Sequence, residues 1–333
     1  MTSVETQEAP SADVASSIRS ILTQTEIRQL TRRSDAAGWW AVGTTWAVIL
    51  GTFAVLARWP HPVTFALAVI VLGGRQLALA ILMHEAAHRT LFERRFLNDV
   101  VADWLCARPM WAEVARYKRH HFRHHAHTAT DLDPDLSLVT PFPTTRRSLV
   151  RKLARDLFGL TGLKRSFGQL LIACEVLEYT VSSDVRRRPR DGRSAMDHLR
   201  AGLRNSSGFV VTNLALAGGL AASGHLWVYW AWVVANLTTF NLFLRIRSLA
   251  EHACTERSLD PFRNTRSTRA GWLARLTVAP IRVNYHLEHH LLVAVPYFRL
   301  PALGRLLRER GAVGPAPSYA TVLALVSQRA ARA

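Results

Sequence analysis

Cysteine is scarce in this sequence. Only Cys106, Cys174 and Cys254 occur among 333 residues, and no two of them form a C-x-x-C pair. An odd number without paired spacing argues against a disulfide framework and against a thiolate metal site. We therefore expect each cysteine to be a small buried side chain in a protein of a reducing compartment.

Acidic residues are also few. The chain has 24 Asp and Glu against 42 Lys and Arg, a formal net charge of +18, yet 49% of its residues are hydrophobic. A soluble domain is rarely both so basic and so apolar, but a protein whose apolar residues are gathered in long blocks can be. The positive charge favours contact with anionic lipid or an acidic partner. Because no nucleic-acid-binding motif accompanies the charge, no nucleic acid is expected as a partner.

Four long blocks lack charge almost entirely. They cover residues 36–57, 61–83, 206–223 and 225–244, and Arg75 is the one charged residue among them. A helix that crosses a bilayer needs roughly 20 predominantly apolar residues. The blocks therefore predict an all-α integral membrane protein with four transmembrane helices in two hairpins. The alternative is four buried helices in a large soluble core.

Arginine borders these blocks on one side. The short turns within the two pairs contain only Arg58, whereas arginine is frequent before the first block, after the last and throughout residues 84–205. The positive-inside rule then places both termini and the long central segment in the cytoplasm.

The same features divide the chain into three parts. We predict a cytoplasmic tail and lead-in helix over residues 1–35, one membrane domain over 36–310, and a cytoplasmic tail over 311–333. Because residues 1–35 are polar and contain no apolar run, we expect no cleavable signal peptide.

Histidine is concentrated where the apolar blocks end. The chain has 14 histidines, many of them in the stretches "HEAAH" at 84–88, "HHFRHH" at 120–125 and "HLEHH" at 286–290. Helical positions i, i+3 and i+4 share one face, so each stretch can present several imidazoles together. Their number exceeds what one tetrahedral zinc ion uses, and two metal ions with histidine-rich shells would use them all. Imidazole suits iron, copper, nickel and zinc, so ligand type leaves the metal open.

The first stretch also matches H-E-x-x-H, the zinc signature of a metalloprotease helix, with Glu85 as general base. A protease of that kind needs only one further ligand, which would leave the other two stretches without a role. The wider pattern therefore argues against a protease. It indicates instead that the carboxylate of Glu85 orients a histidine metal ligand.

One H-x-x-x-H box followed by two H-x-x-H-H boxes, around two predicted hairpins, resembles the membrane-bound fatty acid desaturase superfamily. The resemblance covers about residues 39–310, and "DLDPDL" and "NYHLEHHLLVAVPYFRLPAL" look like its bacterial branch. It implies a cytoplasmic helical cap that carries two iron ions, with O2 as co-substrate, in a multi-pass protein of a bacterial-type inner (plasma) membrane.

The resemblance also implies the site residues. The implied metal ligands are His84, His88, His121, His124, His125, His252, His286, His289 and His290, with His120 as an alternative to His121. Behind them, the residues expected to orient ligands are Glu85, Asp133, Glu251, Asn284 and Glu288. No catalytic residue beyond the ligands is predicted.

An O2-dependent oxidoreductase follows from this resemblance. We expect removal of hydrogen from a fatty acyl chain, with a hydroxylase, oxygenase or ketolase of another lipid or small metabolite as the alternative. Because the sequence carries no fused redox module, an external donor is expected, either a ferredoxin or a cytochrome b5-type protein with its reductase. A metal-binding or transport protein is the non-enzyme alternative, but transporters place ionisable ligands near the bilayer midplane rather than at the ends of the spans.

Overall fold

The computed structural model describes residues 18–189 and 191–328. Every secondary-structure element in these ranges is a helix. This confirms the predicted all-α class for the described residues. From Gln24 onward the α-helices are α1 Gln24–Leu30, α2 Asp35–Arg58, α3 Pro62–Ala87, α4 Val114–His127, α5 Arg146–Leu157, α6 Leu160–Ala173, α7 Ala195–Ala222, α8 Tyr229–Leu237, α9 Thr239–His252, α10 Pro261–Asn264, α11 Trp272–Leu276, α12 His286–Leu291, α13 Leu300–Glu309 and α14 Tyr319–Val326.

Helices α2 and α3 correspond to the first two apolar blocks. They have 24 and 26 residues and are the two described helices long and apolar enough to cross a membrane. Ser34 caps α2 through the N–H of Ala37, and Pro62 opens α3, where its missing N–H leaves no donor unsatisfied. Large apolar side chains on α2, including Trp40 and Leu50, are exposed. An exposed apolar face of this kind suits a lipid environment.

The second pair of blocks is arranged differently from the expected simple hairpin. Helix α7 begins at Ala195, well before residue 206, because Ser194 and Asp197 form a capping box there. The block at 225–244 is divided between a 3-10 turn, α8 and α9, with a break at Thr238, whose φ and ψ are −115° and −90°. The four-span arrangement therefore remains a prediction for this pair.

Helix α3 forms the centre of the packing. Its residues from Leu72 onward are mostly buried, and two glycines let neighbours approach closely. A Cβ on Gly73 would lie 2.1 Å from Thr239 Oγ1, and a Cβ on Gly74 would lie 2.0 Å from the Leu276 carbonyl oxygen. Glycine is required at this crossing because any side chain would displace α9 or α11.

The two ends of the described chain pack against different parts of the domain. Leu30 of α1 shares an apolar cluster with Leu291, Leu303 and Leu307 of α12 and α13. The C-terminal α14 contributes Val322 and Val326 to a second cluster against α5 and α9. The predicted lead-in and C-terminal segments therefore support the domain, as far as they are described; residues 1–17 and 329–333 lie outside the described ranges.

We predict that Gly74→Ala lowers the thermal midpoint of the detergent-purified protein, since its new methyl group meets backbone rather than a flexible side chain. Overpacking of this kind costs about 1–3 kcal/mol. Gly51→Ala on α2 is the matched control, because nothing lies within 4 Å of its Cβ position, and it should leave the midpoint unchanged or raise it. Equal midpoints for the two variants would refute the close-packed crossing.

Candidate metal centre

Four helices bring histidines to one place. Helix α3 supplies His84 in its last turn and His88 at its C-cap. Helix α4 supplies three histidines, α9 supplies one at its end, and the short α12 supplies three more. The structure brings together all nine histidines that the resemblance implies, and it divides them into two groups.

The first group combines residues from three helices: His84, His88, His121, His125 and His289. One nitrogen from each ring lies within 4.8 Å of the corresponding nitrogen of every other. The Nε2 atom of His125 is 2.9 Å from that of His121 and 3.1 Å from that of His289. These rings therefore point their Nε2 atoms at a common point.

The second group consists of His124, His252, His286 and His290. Its ligand nitrogens also lie within 4.8 Å of one another, and the Nε2 atoms of His286 and His252 are 2.8 Å apart. The two groups share two helices, because α4 and α12 each contribute histidines to both groups. The ring centroids of His125 and His290 are only 4.3 Å apart, so the groups are adjacent.

These donors fit metal ions. Around one ion with nitrogen bonds of about 2.1 Å, opposite ligands lie about 4.2 Å apart, close to the separations within each group. Among the described residues, His84 Nε2 and His290 Nε2 have no hydrogen-bond partner. A buried polar atom without a partner is costly, and a bound cation would satisfy it.

The imidazoles are also in the protonation state that metal binding requires. Burial lowers the pKa of His88 to about 3 and keeps the pKa of His289 and His290 well below the usual value. Neutral rings with a free lone pair are therefore expected at neutral pH, which is the form that coordinates a metal.

His124 behaves differently because of a carboxylate behind it. Its Nδ1 lies 2.8 Å from Asp133 Oδ1, and Asp133 also accepts hydrogen bonds from the N–H groups of Ala129 and Asp135. Burial alone would lower the pKa of His124, but the bond to Asp133 and the charge of Asp135 raise it overall. Asp133 thus holds the proton on Nδ1 and leaves Nε2 for the metal.

The neighbouring histidines His120 and His121 lie in different surroundings. His120 Nε2 lies 2.8 Å from Asp135 Oδ1, and His120 belongs to neither group. His121 is in the first group, stacked on Tyr117 at 5.1 Å between ring centroids with an interplanar angle of 15°. Tyr117 was not predicted, although it stands one helical turn before His121 on the same face.

Glu85 is held in place by two hydrogen bonds. Its carboxylate accepts the hydroxyl of Thr90 and the N–H of Tyr297, each at 3.0 Å, and its other oxygen lies 3.3 Å from His84 Nδ1. It is buried, with 3% of its surface exposed. A carboxylate occupied in this way ties the end of α3 to the segment after α12 and is poorly placed to activate water as a protease base.

The other predicted carboxylates and the amide have separate partners. Glu251 lies 3.6 Å from His286 Nδ1 and forms an ion pair with Arg247. Glu288 accepts a hydrogen bond from Ser267 and therefore supports α12 from outside the two groups. Asn284 donates to the Thr268 carbonyl at 2.8 Å, while its buried Oδ1 has no partner among the described residues.

Comparison with known proteins agrees with this geometry. A sequence profile of the fatty acid desaturase family matches residues 57–319. The dihydrorhizobitoxine desaturase of Bradyrhizobium elkanii is 28% identical over 283 residues, which cover 84% of this chain and 74% of that protein. Because the profile covers well over half of the chain, including all three histidine stretches and the whole of α3, the chain belongs to the fatty acid desaturase family.

Proposed function

We propose that the protein is an O2-dependent di-iron oxidoreductase that removes two hydrogens from neighbouring carbons of an organic substrate. The observation that carries the proposal is the convergence of nine buried or half-buried histidines into two adjacent groups. Two irons bound there would supply the oxidising power for an unactivated C–H bond, which no amino acid side chain has.

The chain's own residues supply position and protection. Asp133 lies 2.8 Å from Nδ1 of His124, and the Asn264 carbonyl lies 3.2 Å from Nδ1 of His252. Each contact fixes the direction of its ring. The ligands His84 and His88 are only 3% and 1% exposed, so bulk water has little access to the first group. Exclusion of water limits side reactions of an oxidising centre.

A fatty acyl chain is the first candidate substrate, in line with the family. The relative's name describes desaturation of dihydrorhizobitoxine, which supports removal of hydrogen over insertion of oxygen. It also makes a smaller metabolite a specific second candidate for this chain. Hydroxylation or ketone formation is the alternative reaction, and a small change in substrate position decides between the outcomes.

The proposal includes a membrane arrangement and a donor. Helices α2 and α3 would form one spanning hairpin, and α7 with the α8–α9 pair would form the second, with α4 and α12 in a cytoplasmic cap. Arg75, a cation within the second proposed span, is consistent with this, because its guanidinium donates to the Leu276 carbonyl at 3.0 Å and so has a backbone partner inside the protein. An external ferredoxin or cytochrome b5-type protein would deliver electrons to the cap from the cytoplasm.

Metal analysis tests the centre directly. Anaerobically purified protein should contain about two irons per chain, since each histidine group has enough donors for one ion. His289→Ala removes a donor of the first group and His290→Ala a donor of the second, and each should lower the iron content and abolish turnover. His127→Ala is the control, because His127 belongs to neither group. One zinc per chain, with full activity in His289→Ala, would contradict the assignment.

Asp133→Asn tests how the second group is oriented. An amide cannot hold the His124 proton as a carboxylate does, so we expect iron affinity to fall about 10- to 100-fold. Anaerobic iron titration provides the measurement. Asp131→Asn is the matched control, since Asp131 is exposed and its ion pair within the described part of the chain is with Arg257, and it should titrate like the wild type. Identical titrations for both variants would remove Asp133 from this role.

Product analysis tests the reaction. With a reducing system and O2, mass spectrometry of a fed acyl substrate should show a loss of two hydrogens. A gain of one oxygen would instead identify a hydroxylase. Neither change with acyl substrates, but a loss of two hydrogens from a small metabolite, would transfer the proposal to the second substrate candidate.

A further inference from the structure

Helix α5 carries a dense positive surface away from the metal centre. Arg146, Arg147, Arg151 and Arg155 are all exposed, and within the described ranges no acidic side chain forms an ion pair with them; the nearby Asp156 is buried against Arg245. Burial, followed by the charges of Arg245, Arg151 and Arg155, lowers the pKa of Lys152. The surface of α5 therefore holds uncompensated positive charge.

An apolar surface continues directly from this helix onto α6. Phe158, in the turn between them, is 77% exposed. Along α6 every third or fourth residue on one face is apolar and exposed: Leu160 at 55%, Leu163 at 57%, Phe167 at 63% and Leu170 at 44%. This spacing places the four side chains in one row.

Helix α7 adds a second row beside the first. Asn205 of α7 donates to the Ala173 carbonyl at 2.8 Å, and Gly202 lies against Cys174, so α6 and α7 pack together at this end. The exposed apolar residues of this part of α7 are Met196, Leu199 and Leu203. The same face continues toward the predicted third span through Val210 and Leu214.

Arginines beside exposed apolar rows indicate what kind of partner this surface binds. A water-facing surface rarely carries so many exposed large apolar side chains on two neighbouring helices. Apolar rows beside arginines are typical of helices that lie in the interface of a bilayer, with apolar side chains at the acyl boundary and cations among anionic headgroups. An acidic protein would match the arginines but not the leucines and phenylalanines, and the row on α7 leads into an apolar block that is itself a predicted span.

We propose that the surface formed by α5, α6 and residues 195–204 of α7 lies on the cytoplasmic face of the membrane and binds anionic phospholipid. The contact is additional to the spanning helices and would hold the cap at a fixed depth. It rests on the membrane arrangement proposed above and is independent of the metal chemistry.

Spin-label accessibility in lipid nanodiscs tests the placement. In full-length protein with Cys174→Ser and Cys254→Ser, a nitroxide is attached at Phe167→Cys or, as a second position, Leu163→Cys. The control is Leu259→Cys, an equally exposed apolar residue at 57% that stands outside this surface. In discs containing phosphatidylglycerol, the α6 labels should collide several-fold more with O2 than with a nickel chelate, and the label at 259 should show the reverse.

Charge variants test the lipid preference. Replacing phosphatidylcholine by phosphatidylglycerol in the discs should raise the thermal midpoint of the wild type, and Arg151→Gln with Arg155→Gln should remove most of that rise. Arg305→Gln with Arg308→Gln removes two exposed arginines of α13 and should preserve it. Water-accessible α6 labels, or equal losses in both double variants, would overturn the proposal. Protection of the α6 labels only after an acidic ferredoxin is added would also overturn it, in favour of a protein-docking surface.

Discussion

The structure depends on burying imidazoles from distant parts of the chain and directing them to the same place. Histidines from α3, α4, α9 and α12 meet in two groups whose ligand nitrogens lie within 4.8 Å of one another. Polar rings placed so close together are costly without a cation between them, because several of their nitrogens have no hydrogen-bond partner in the described part of the chain. The surrounding elements can be understood as means of meeting this cost: helices hold the rings at fixed spacing, and carboxylates behind them fix the protons.

The carboxylates differ in how directly they act. Asp133 contacts a ligand and decides which nitrogen carries the proton. Glu85 mainly links segments of the chain, since one of its oxygens accepts both the Thr90 hydroxyl and the Tyr297 N–H. Glu288 is further removed, and Gly304 leaves the space that its side chain fills. Buried acids thus surround the two groups and would partly balance the charge of metal ions bound there, although no carboxylate belongs to either group.

The sequence was informative where local periodicity controls the structure. Spacing at i, i+3 and i+4 predicted which histidines of α4 and α12 share a face, and charge-free length predicted α2 and α3. It was less informative where distant contacts decide. The break at Thr238 is associated with a hydrogen bond from Thr239 to the Val69 carbonyl and with the close approach to Gly73. The pairing of His120 with Asp135 depends on a loop whose path no spacing rule supplies.

The distribution of the ligands along the chain has a consequence for biosynthesis. Both groups draw on α12, whose histidines lie at 286–290, whereas the first ligand is His84. Domains generally begin to fold from the N-terminus while the ribosome is still translating. Neither group can be completed until nearly the whole polypeptide has emerged, so a metal ion could bind a complete group only after α2 and α3 have been synthesised. A nascent chain arrested before α12 would expose half-formed histidine sites, and quality control could recognise it by that defect.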